Sequence, residues 1–241
     1  MTGFQKFLAG LGILIGLIAG GAIGVAGIGH KYGAWPFPTA RMLLEYGFYA
    51  AAGAATLGVL AILLALVRQK GGGVFSAFLA IAIGGGVAYV PWSMHNKEQT
   101  LPAIHDISTD TADPPAFVAL ANERKNFAAG ADYDPANAAK QKAGYPAIAP
   151  LVSPLTPEAL FARALVEAGK QGWQIAAKES EQGRIEATAV SPWFGFKDDV
   201  VIRIVPDGTG ARLDMRSAAR ADMSDLGSNA ERITAFIAAM K

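Results

Sequence analysis

One acidic segment of the chain carries residue types that bind metal ions. His105, Asp106, Asp110 and Asp113 place one imidazole and three carboxylates within nine residues, and both groups are common metal ligands in proteins. The spacing differs from that of an EF-hand calcium loop, because Phe117 stands where that loop has its bidentate glutamate. A metal site built from these four residues is therefore one hypothesis.

A second polar segment, over residues 216–232, contains hydroxyl groups beside arginines. Ser217 or Ser224 could act as a nucleophile, with His105 as its base and an aspartate, for which Asp106 is one candidate, as the carboxylate that orients the base. The chain has no Gly-x-Ser-x-Gly elbow, the usual setting of the nucleophile in an α/β-hydrolase. A serine hydrolase is a second hypothesis for these residues.

The same segments also allow an arrangement without catalysis. Arginines pair with carboxylates through two parallel hydrogen bonds, so the polar residues could tie one segment to a sheet, with Ser224 or Ser228 as a helix cap and Gly227 as a turn. Near Trp193 and Phe194, an arginine cluster could instead hold an anionic ligand or a lipid headgroup. The residues of this ligand-binding or structural network are Asp106, Thr109, Asp110, Asp198, Asp199, Arg216, Ser217, Arg220, Ser224, Asp225, Asn229 and Arg232.

These polar segments resemble the signatures of a bacterial and plastid family, the domain of unknown function numbered fourteen ninety-nine. The matching stretches are Ile-His-Asp-Ile-Ser-Thr-Asp at 104–110, Pro-Pro-Ala-Phe at 114–117, Asp-Asp at 198–199 and the run at 216–229. The chain departs from the pattern at Ala219, where serine is usual, and at Asp222, where glycine is usual. The resemblance covers roughly 100–240 and implies an envelope-associated domain with no assigned reaction.

Hydrophobic periodicity predicts the elements that position these residues. Thr156 and Pro157 are typical of a helix start, and a second helix is predicted over 230–240. The four alternating stretches that predict strands are 173–178, 184–190, 199–205 and 211–216. This order predicts an α+β soluble domain over 156–241, a four-stranded antiparallel sheet with helices on one face. Residues 95–155 contain seven prolines and are predicted to form an extended segment that wraps over the domain.

Composition divides the chain into two parts. Charged residues make up 17% of it, against about 25% in soluble domains. Residues 1–94 hold five basic residues and one acidic residue, which leaves 16 of the 21 basic and 19 of the 20 acidic residues for 95–241. This mildly acidic half lacks the basic field that nucleic-acid binding requires. The chain has no cysteine, which excludes disulfides and thiolate metal sites, and no cofactor is predicted.

Long apolar stretches predict a transmembrane domain over residues 1–94. The three predicted spans, each close to the 20 apolar residues that cross the hydrocarbon core, are 7–29, 43–67 and 74–90. The first is too long for the apolar region of a signal peptide. Gly12, Gly16, Gly20 and Gly24 form one smooth stripe on it, which favours close helix packing, either within this chain or in a homo-oligomer.

The odd number of spans puts the two chain ends on opposite sides of a bilayer. Arg68 and Lys70 lie in a very short loop, where the positive-inside rule is strongest. We therefore expect a multi-pass protein of the bacterial inner membrane, with its soluble domain in the periplasm.

Two functions stay open at this point. One is a non-enzymatic protein whose domain binds an envelope protein, an anionic ligand or a lipid headgroup at the membrane surface. The other is a hydrolase or metal-dependent enzyme that uses His105 and the aspartates at 106, 110 and 113.

Overall fold

The chain forms two compact units in a computed structural model that describes residues 3–69, 73–127, 130–221 and 225–241. The first unit contains Met1–Asn96 and Pro192–Gly195, and the second contains Lys97–Ser191 and Phe196–Lys241. Each unit has its own elements and its own buried cluster of apolar side chains.

Three long helices make up most of the first unit: α1 Gly3–Lys31, α2 Phe37–Val67 and α3 Val74–Thr100. Among the described residues, these three helices are long and apolar enough to cross a membrane, with mean hydropathies of 2.3, 2.4 and 1.8 over 18-residue windows. Each is longer than the roughly 20 residues that a hydrocarbon core requires. α3 continues through Pro91, so the helix extends beyond the apolar stretch at 74–90.

The glycine stripe of α1 is used mostly within the chain. A Cβ atom on Gly12 would lie 2.9 Å from the carbonyl oxygen of Ala54 in α2. Cβ atoms on Gly16 and Gly20 would lie 2.9 and 3.2 Å from side chains of α3, whereas one on Gly24 would meet nothing within 4 Å. Helices that lack a hydrophobic driving force in lipid associate through such close approaches. The stripe therefore packs α1 against the other two helices along most of its length.

Gly84 of α3 gives a direct test of this packing. A Cβ atom there would lie 2.6 Å from the backbone of Ala51 and of Ala55 in α2, so Gly84→Ala should destabilise the first unit by about 1–3 kcal/mol through overpacking. Gly85→Ala is the control, because its Cβ would meet nothing within 4 Å. Thermal unfolding in detergent, followed by circular dichroism, should separate the two variants. Equal melting curves would contradict the packing.

The second unit is built on one antiparallel sheet of six strands. Its strands are β1 Asp106–Ser108, β2 Leu151–Ser153, β3 Gln174–Glu179, β4 Arg184–Val190, β5 Lys197–Asp207 and β6 Gly210–Ala219. Their order is β1-β6-β5-β4-β3, and β2 also pairs with β6. The helices of this unit are α4 Ala121–Arg124, α5 Asn137–Gly144, α6 Pro157–Lys170 and α7 Ser228–Met240. An antiparallel sheet with helices is confirmed, but the prediction of four strands was wrong.

The two extra strands come from the proline-rich segment. β1 and β2 are three residues each and lie along the same edge of β6, opposite its residues 216–218 and 211–213. Three residues are too few to show the period-two alternation by which strands are recognised in a sequence. The side chain of Gln141 in α5 completes the free edge of β1, because it accepts from the backbone N–H of Ser108 at 3.0 Å and donates to its carbonyl oxygen at 2.6 Å.

Both faces of the sheet are covered over its central strands. Ile202 of β5 points toward α6 and α7, into the main core that also contains Leu160 and Phe236. Val201, its neighbour, points the other way and is 1% exposed, packed in a small cluster with Phe117. Successive strand residues face opposite sides, so alternate residues in the middle of β4, β5 and β6 lie under residues 106–150, the covering segment. This second face carries most of the charged residues considered below.

Candidate functional site

Arg216 of β6 and Asp106 of β1 form a buried ion pair on the second face of the sheet. The Nε and Nη2 atoms of Arg216 donate to the two carboxylate oxygens of Asp106 at 2.9 and 2.7 Å. Its Nη1 atom donates to the carbonyl oxygen of Ala131 at 3.1 Å, and the guanidinium lies over the Phe117 ring at 4.9 Å. Arg216 is 1% exposed. Both residues are therefore saturated by contacts inside the domain.

Asp199 of β5 is the centre of a second buried group on the same face. Its carboxylate accepts from Arg124 Nη1 at 2.8 Å, from Arg220 Nη2 at 2.8 Å and from the Thr188 hydroxyl at 2.9 Å. Arg124 and Asp199 are both 0% exposed. Arg220 also pairs with Glu123 at 2.9 Å. Two arginines thus share one carboxylate, and strand β5 is tied to helix α4.

A third group lies on the opposite face, beside α7. The Ser217 hydroxyl donates to Asn229 Oδ1 at 2.6 Å and accepts from Arg232 Nη1 at 2.9 Å. Arg232 Nη2 donates to Asp198 at 2.6 Å, and burial raises the pKa of the Asp198 carboxyl although Arg232 opposes that shift. The two carboxylate oxygens of Asp225 accept from the backbone N–H groups of residues 227 and 229. Asp225, rather than the Ser228 hydroxyl, therefore holds the start of α7.

Because side chains alternate between the two faces of the sheet along β6, Ser217 and Asp106, two residues of the hydrolase hypothesis, lie on opposite faces. Arg216 and Ser217 are consecutive, so they point to opposite faces of the sheet. Asp106 lies on the second face, because its carboxylate pairs with Arg216 there. His105 contributes its carbonyl oxygen, which accepts from the backbone N–H of Ala219 at 2.9 Å and from Asn229 Nδ2 at 3.2 Å. Ser217 and Asp106 are thus not brought together in one triad.

The residues of the metal hypothesis are likewise dispersed. Within residues 3–69, 73–127, 130–221 and 225–241, no three side chains of the ligand types His, Asp and Glu are grouped to hold an ion. Asp113 pairs with Arg203 at 2.8 Å and its side chain is 80% exposed. The Thr109 hydroxyl accepts from the backbone N–H of Met215 at 2.9 Å. Ser224, the other candidate nucleophile, lies outside the described residues.

Asp110 holds a turn at the rim of the second face. Its carboxylate accepts from the backbone N–H groups of Ala112 and Asp113 at 2.9 and 3.0 Å and from Arg212 Nη2 at 2.6 Å. Burial raises the pKa of the Asp110 carboxyl, but these hydrogen bonds together outweigh burial, so the pKa lies below its ordinary value. Arg212 also pairs with the buried Asp214, and the turn is thereby fixed to β6.

The lowered pKa of Asp110 predicts how the domain responds to acid. A carboxyl whose pKa is depressed by folding stabilises the folded state above its unfolded pKa of about 4, and this contribution is lost as the pH falls through the folded value. Asp110→Asn should therefore unfold more easily at pH 7 and lose less stability between neutral pH and the acid range. Urea unfolding at several pH values measures this slope, and a slope unchanged from the parent chain would contradict it.

Glu186 of β4 was not predicted from the sequence as a functional or structural residue, although it makes three hydrogen bonds to the backbone. Its carboxylate accepts from three consecutive backbone N–H groups, those of Val118, Ala119 and Leu120, at 2.8, 3.0 and 2.9 Å. Glu186 is 0% exposed. It fixes the chain just before α4, directly after the Pro-Pro-Ala-Phe stretch. The signal was a lone acidic residue in a largely apolar strand, where a buried charge is tolerated only when it is compensated.

A surface groove of about 240 Å³ lies beside this anchor on the second face. Pro115 and Val118 contribute apolar surface to it, and Arg184 and Arg203 contribute polar surface. Val118 is 53% exposed. Both arginines already have carboxylate partners, Arg184 in Glu179 and Glu186, and Arg203 in Asp113 and Asp214. The groove is therefore mixed in polarity, with its positive charges largely neutralised.

The fold and these contacts define a class of protein: three membrane-capable helices joined to an α+β domain in which most of the described candidate polar residues pair with one another. The chain belongs to the family described as "Protein of unknown function (DUF1499)", which matches residues 106–240. The resemblance drawn from the polar segments is thereby confirmed, and the three apolar helices fit its fusion to a membrane region. No curated protein matches the chain.

Proposed function

We propose that this protein is a membrane-anchored, non-enzymatic binding protein whose soluble domain takes a protein partner at the membrane surface. One observation carries the proposal. Three of the candidates for chemistry have their side-chain oxygens occupied from within the domain: Asp106 accepts from Arg216, Asp110 accepts from Arg212 and two backbone N–H groups, and the Ser217 hydroxyl bonds to Asn229 and Arg232. A nucleophile or a metal ligand needs a free lone pair.

A protein partner is favoured over an anionic ligand because the arginines of the network are already paired with carboxylates. Arg216, Arg220 and Arg232 each pair with an aspartate, so none has an unopposed charge for a phosphate or headgroup. The groove beside Val118 combines exposed apolar surface with polar edges, as the contact surfaces of protein interfaces do. A hydrolase or metal-dependent enzyme built on His105 is the alternative function.

The proposed location is the bacterial inner membrane, with the N-terminus in the cytoplasm and the soluble domain in the periplasm. Arg68, at the end of α2, supports this orientation, together with Lys70, which lies outside the described residues. A reporter enzyme that works only outside the cytoplasm, fused after Lys241, should be active. Activity of a cytoplasmic reporter at the same position would reverse the orientation while leaving the binding proposal intact. Self-association through the glycine stripe stays a prediction.

Site-specific photo-crosslinking in the native membrane tests the binding proposal. A photoreactive amino acid at Val118, which is 53% exposed in the groove, should give an adduct of discrete mass. The same amino acid at Val166 is the control, since that residue is 59% exposed but lies on α6, on the other face of the sheet. Adducts of equal yield at both positions, or none at 118, would reject the groove as the binding surface.

A serine-directed probe tests the enzymatic alternative independently. We expect a fluorophosphonate to leave the full chain unlabelled, because the Ser217 hydroxyl is 0% exposed and hydrogen-bonded twice. Labelling that disappears in Ser217→Ala would establish an activated serine and overturn the non-enzymatic proposal. Thr234→Ala serves as the control, since it removes a hydroxyl that only donates to its own helix.

A further inference from the structure

An apolar groove of about 370 Å³ lies in the first unit where α1 and α3 separate. The spacing between the helices widens along the glycine stripe: Cβ atoms on Gly16 and Gly20 would lie 2.9 and 3.2 Å from α3 side chains, but one on Gly24 would meet nothing within 4 Å. A Cβ atom on Gly86 of α3 would also meet nothing within 4 Å. The groove therefore exists because glycines remove the side chains that would have filled it.

The walls of the groove offer almost entirely apolar surface. Ile23 and Val87 line its two sides. Trp193, from the Pro192–Gly195 segment of the same unit, lines it as well, and its indole N–H is already donated to the carbonyl oxygen of Gly24 at 3.0 Å. The same indole packs against Gly27, where a Cβ atom would lie 2.6 Å from the ring. Water needs two to four polar partners in a cavity, and these walls expose very little polar surface.

We propose that this groove binds one acyl chain of a membrane phospholipid. Both α1 and α3 are long and apolar enough to cross a bilayer, so the medium beside the groove would be hydrocarbon. Its volume is at the lower end of ligand pockets. A transmembrane helix of a second copy has a diameter of about 10 Å with its side chains, too wide to enter the space left by a few missing side chains.

The inference rests on the membrane insertion proposed above, and it assigns a role to Trp193. The ring forms a flat wall against which an acyl chain can lie, since its polar edge is occupied by Gly24. Gly24 and Gly86 are then the specificity-determining positions. A side chain at either position would project into the volume that the acyl chain needs, and its Cβ atom would meet no protein atom within 4 Å.

The test uses the full chain in vesicles of phosphatidylcholine that carries a photoreactive diazirine on one acyl chain. Illumination and peptide mapping should concentrate adducts on residues 20–24, 86–90 and 193. Gly24→Leu and Gly86→Leu should each lower this labelling about tenfold, equivalent to roughly 1.4 kcal/mol of binding. Gly21→Leu and Gly85→Leu are matched controls, because their Cβ atoms also meet nothing within 4 Å but they lie outside the groove.

Labelling that is unchanged in Gly24→Leu and Gly86→Leu, or that falls equally in all four variants, would overturn the acyl-chain site. Adducts between two copies of the chain, centred on these glycines, would overturn it in favour of self-association. Alkaline carbonate extraction of the same vesicles tests membrane insertion separately. Release of the chain into solution would reject the membrane anchor, whereas a retained chain with uniform labelling would reject only the groove.

Discussion

Asp199→Asn is expected to lower the free energy of unfolding of the soluble domain by at least about 3–5 kcal/mol, the cost of breaking a buried ion pair. The asparagine keeps the size of the aspartate but removes its charge, so Arg124 and Arg220 would be left with two positive charges and no shared counter-ion. Arg124 suffers most, since it is 0% exposed and its other acceptors are backbone carbonyl oxygens. The amide N–H₂ would also oppose a guanidinium donor.

Chemical unfolding of the full chain in detergent, followed by near-ultraviolet circular dichroism, measures this loss. Trp173 stacks on Phe236 at 5.2 Å in the core of the soluble domain and should contribute to that signal. Asp207→Asn is the control, because Asp207 is an exposed residue at the end of β5 and surface substitutions usually change stability by less than about 0.5 kcal/mol. Equal stability of the two variants would show that Asp199 is not the centre of the network.

The long strands of the sheet could be predicted from the sequence, whereas the short strands could not. β4, β5 and β6 are seven to eleven residues long, so their alternation was visible, and Thr156 caps α6 through Ala159 as its sequence indicated. β1 and β2 were invisible, because they form only where β6 offers its edge. A wrapping segment over 95–155 was predicted, but the face of the sheet that it covers was not, because the position of an irregular segment depends on contacts with residues distant in sequence.

For the polar network, the sequence predicted which types of residue would pair but not which individual residues would be partners. The sequence indicates that arginines and aspartates of the two segments should meet, because isolated buried charges are too costly. It does not indicate which pairs form, since pairing depends on strand register and on the face that each residue takes. Arg124 and Glu186 were not candidates at all. Both lie outside the two polar segments, yet both are 0% exposed and hold the covering segment against the sheet.

Arg216→Ala is the second variant from which we expect a large effect, again about 3–5 kcal/mol. It would leave Asp106 buried and unpaired, remove the hydrogen bond to the Ala131 carbonyl oxygen, and take the guanidinium from its position over Phe117. Three contacts between β6 and the covering segment would be lost together. Melting temperature and urea midpoint should therefore both fall, and proteolysis of the covering segment should accelerate.

A double-mutant cycle separates the interaction free energy of the Arg216–Asp106 pair from the free-energy cost of leaving one buried charge unpaired. Arg216→Met with Asp106→Leu removes both charges and keeps apolar volume, so it should be far less destabilising than the sum of the two single variants, because replacing a buried ion pair with apolar residues is often nearly neutral. The photo-crosslink from position 118 supplies the second readout. A folded double variant that still crosslinks its partner identifies this pair as structural. A folded double variant that has lost the crosslink would instead place Arg216 and Asp106 within the binding surface and contradict the assignment made here.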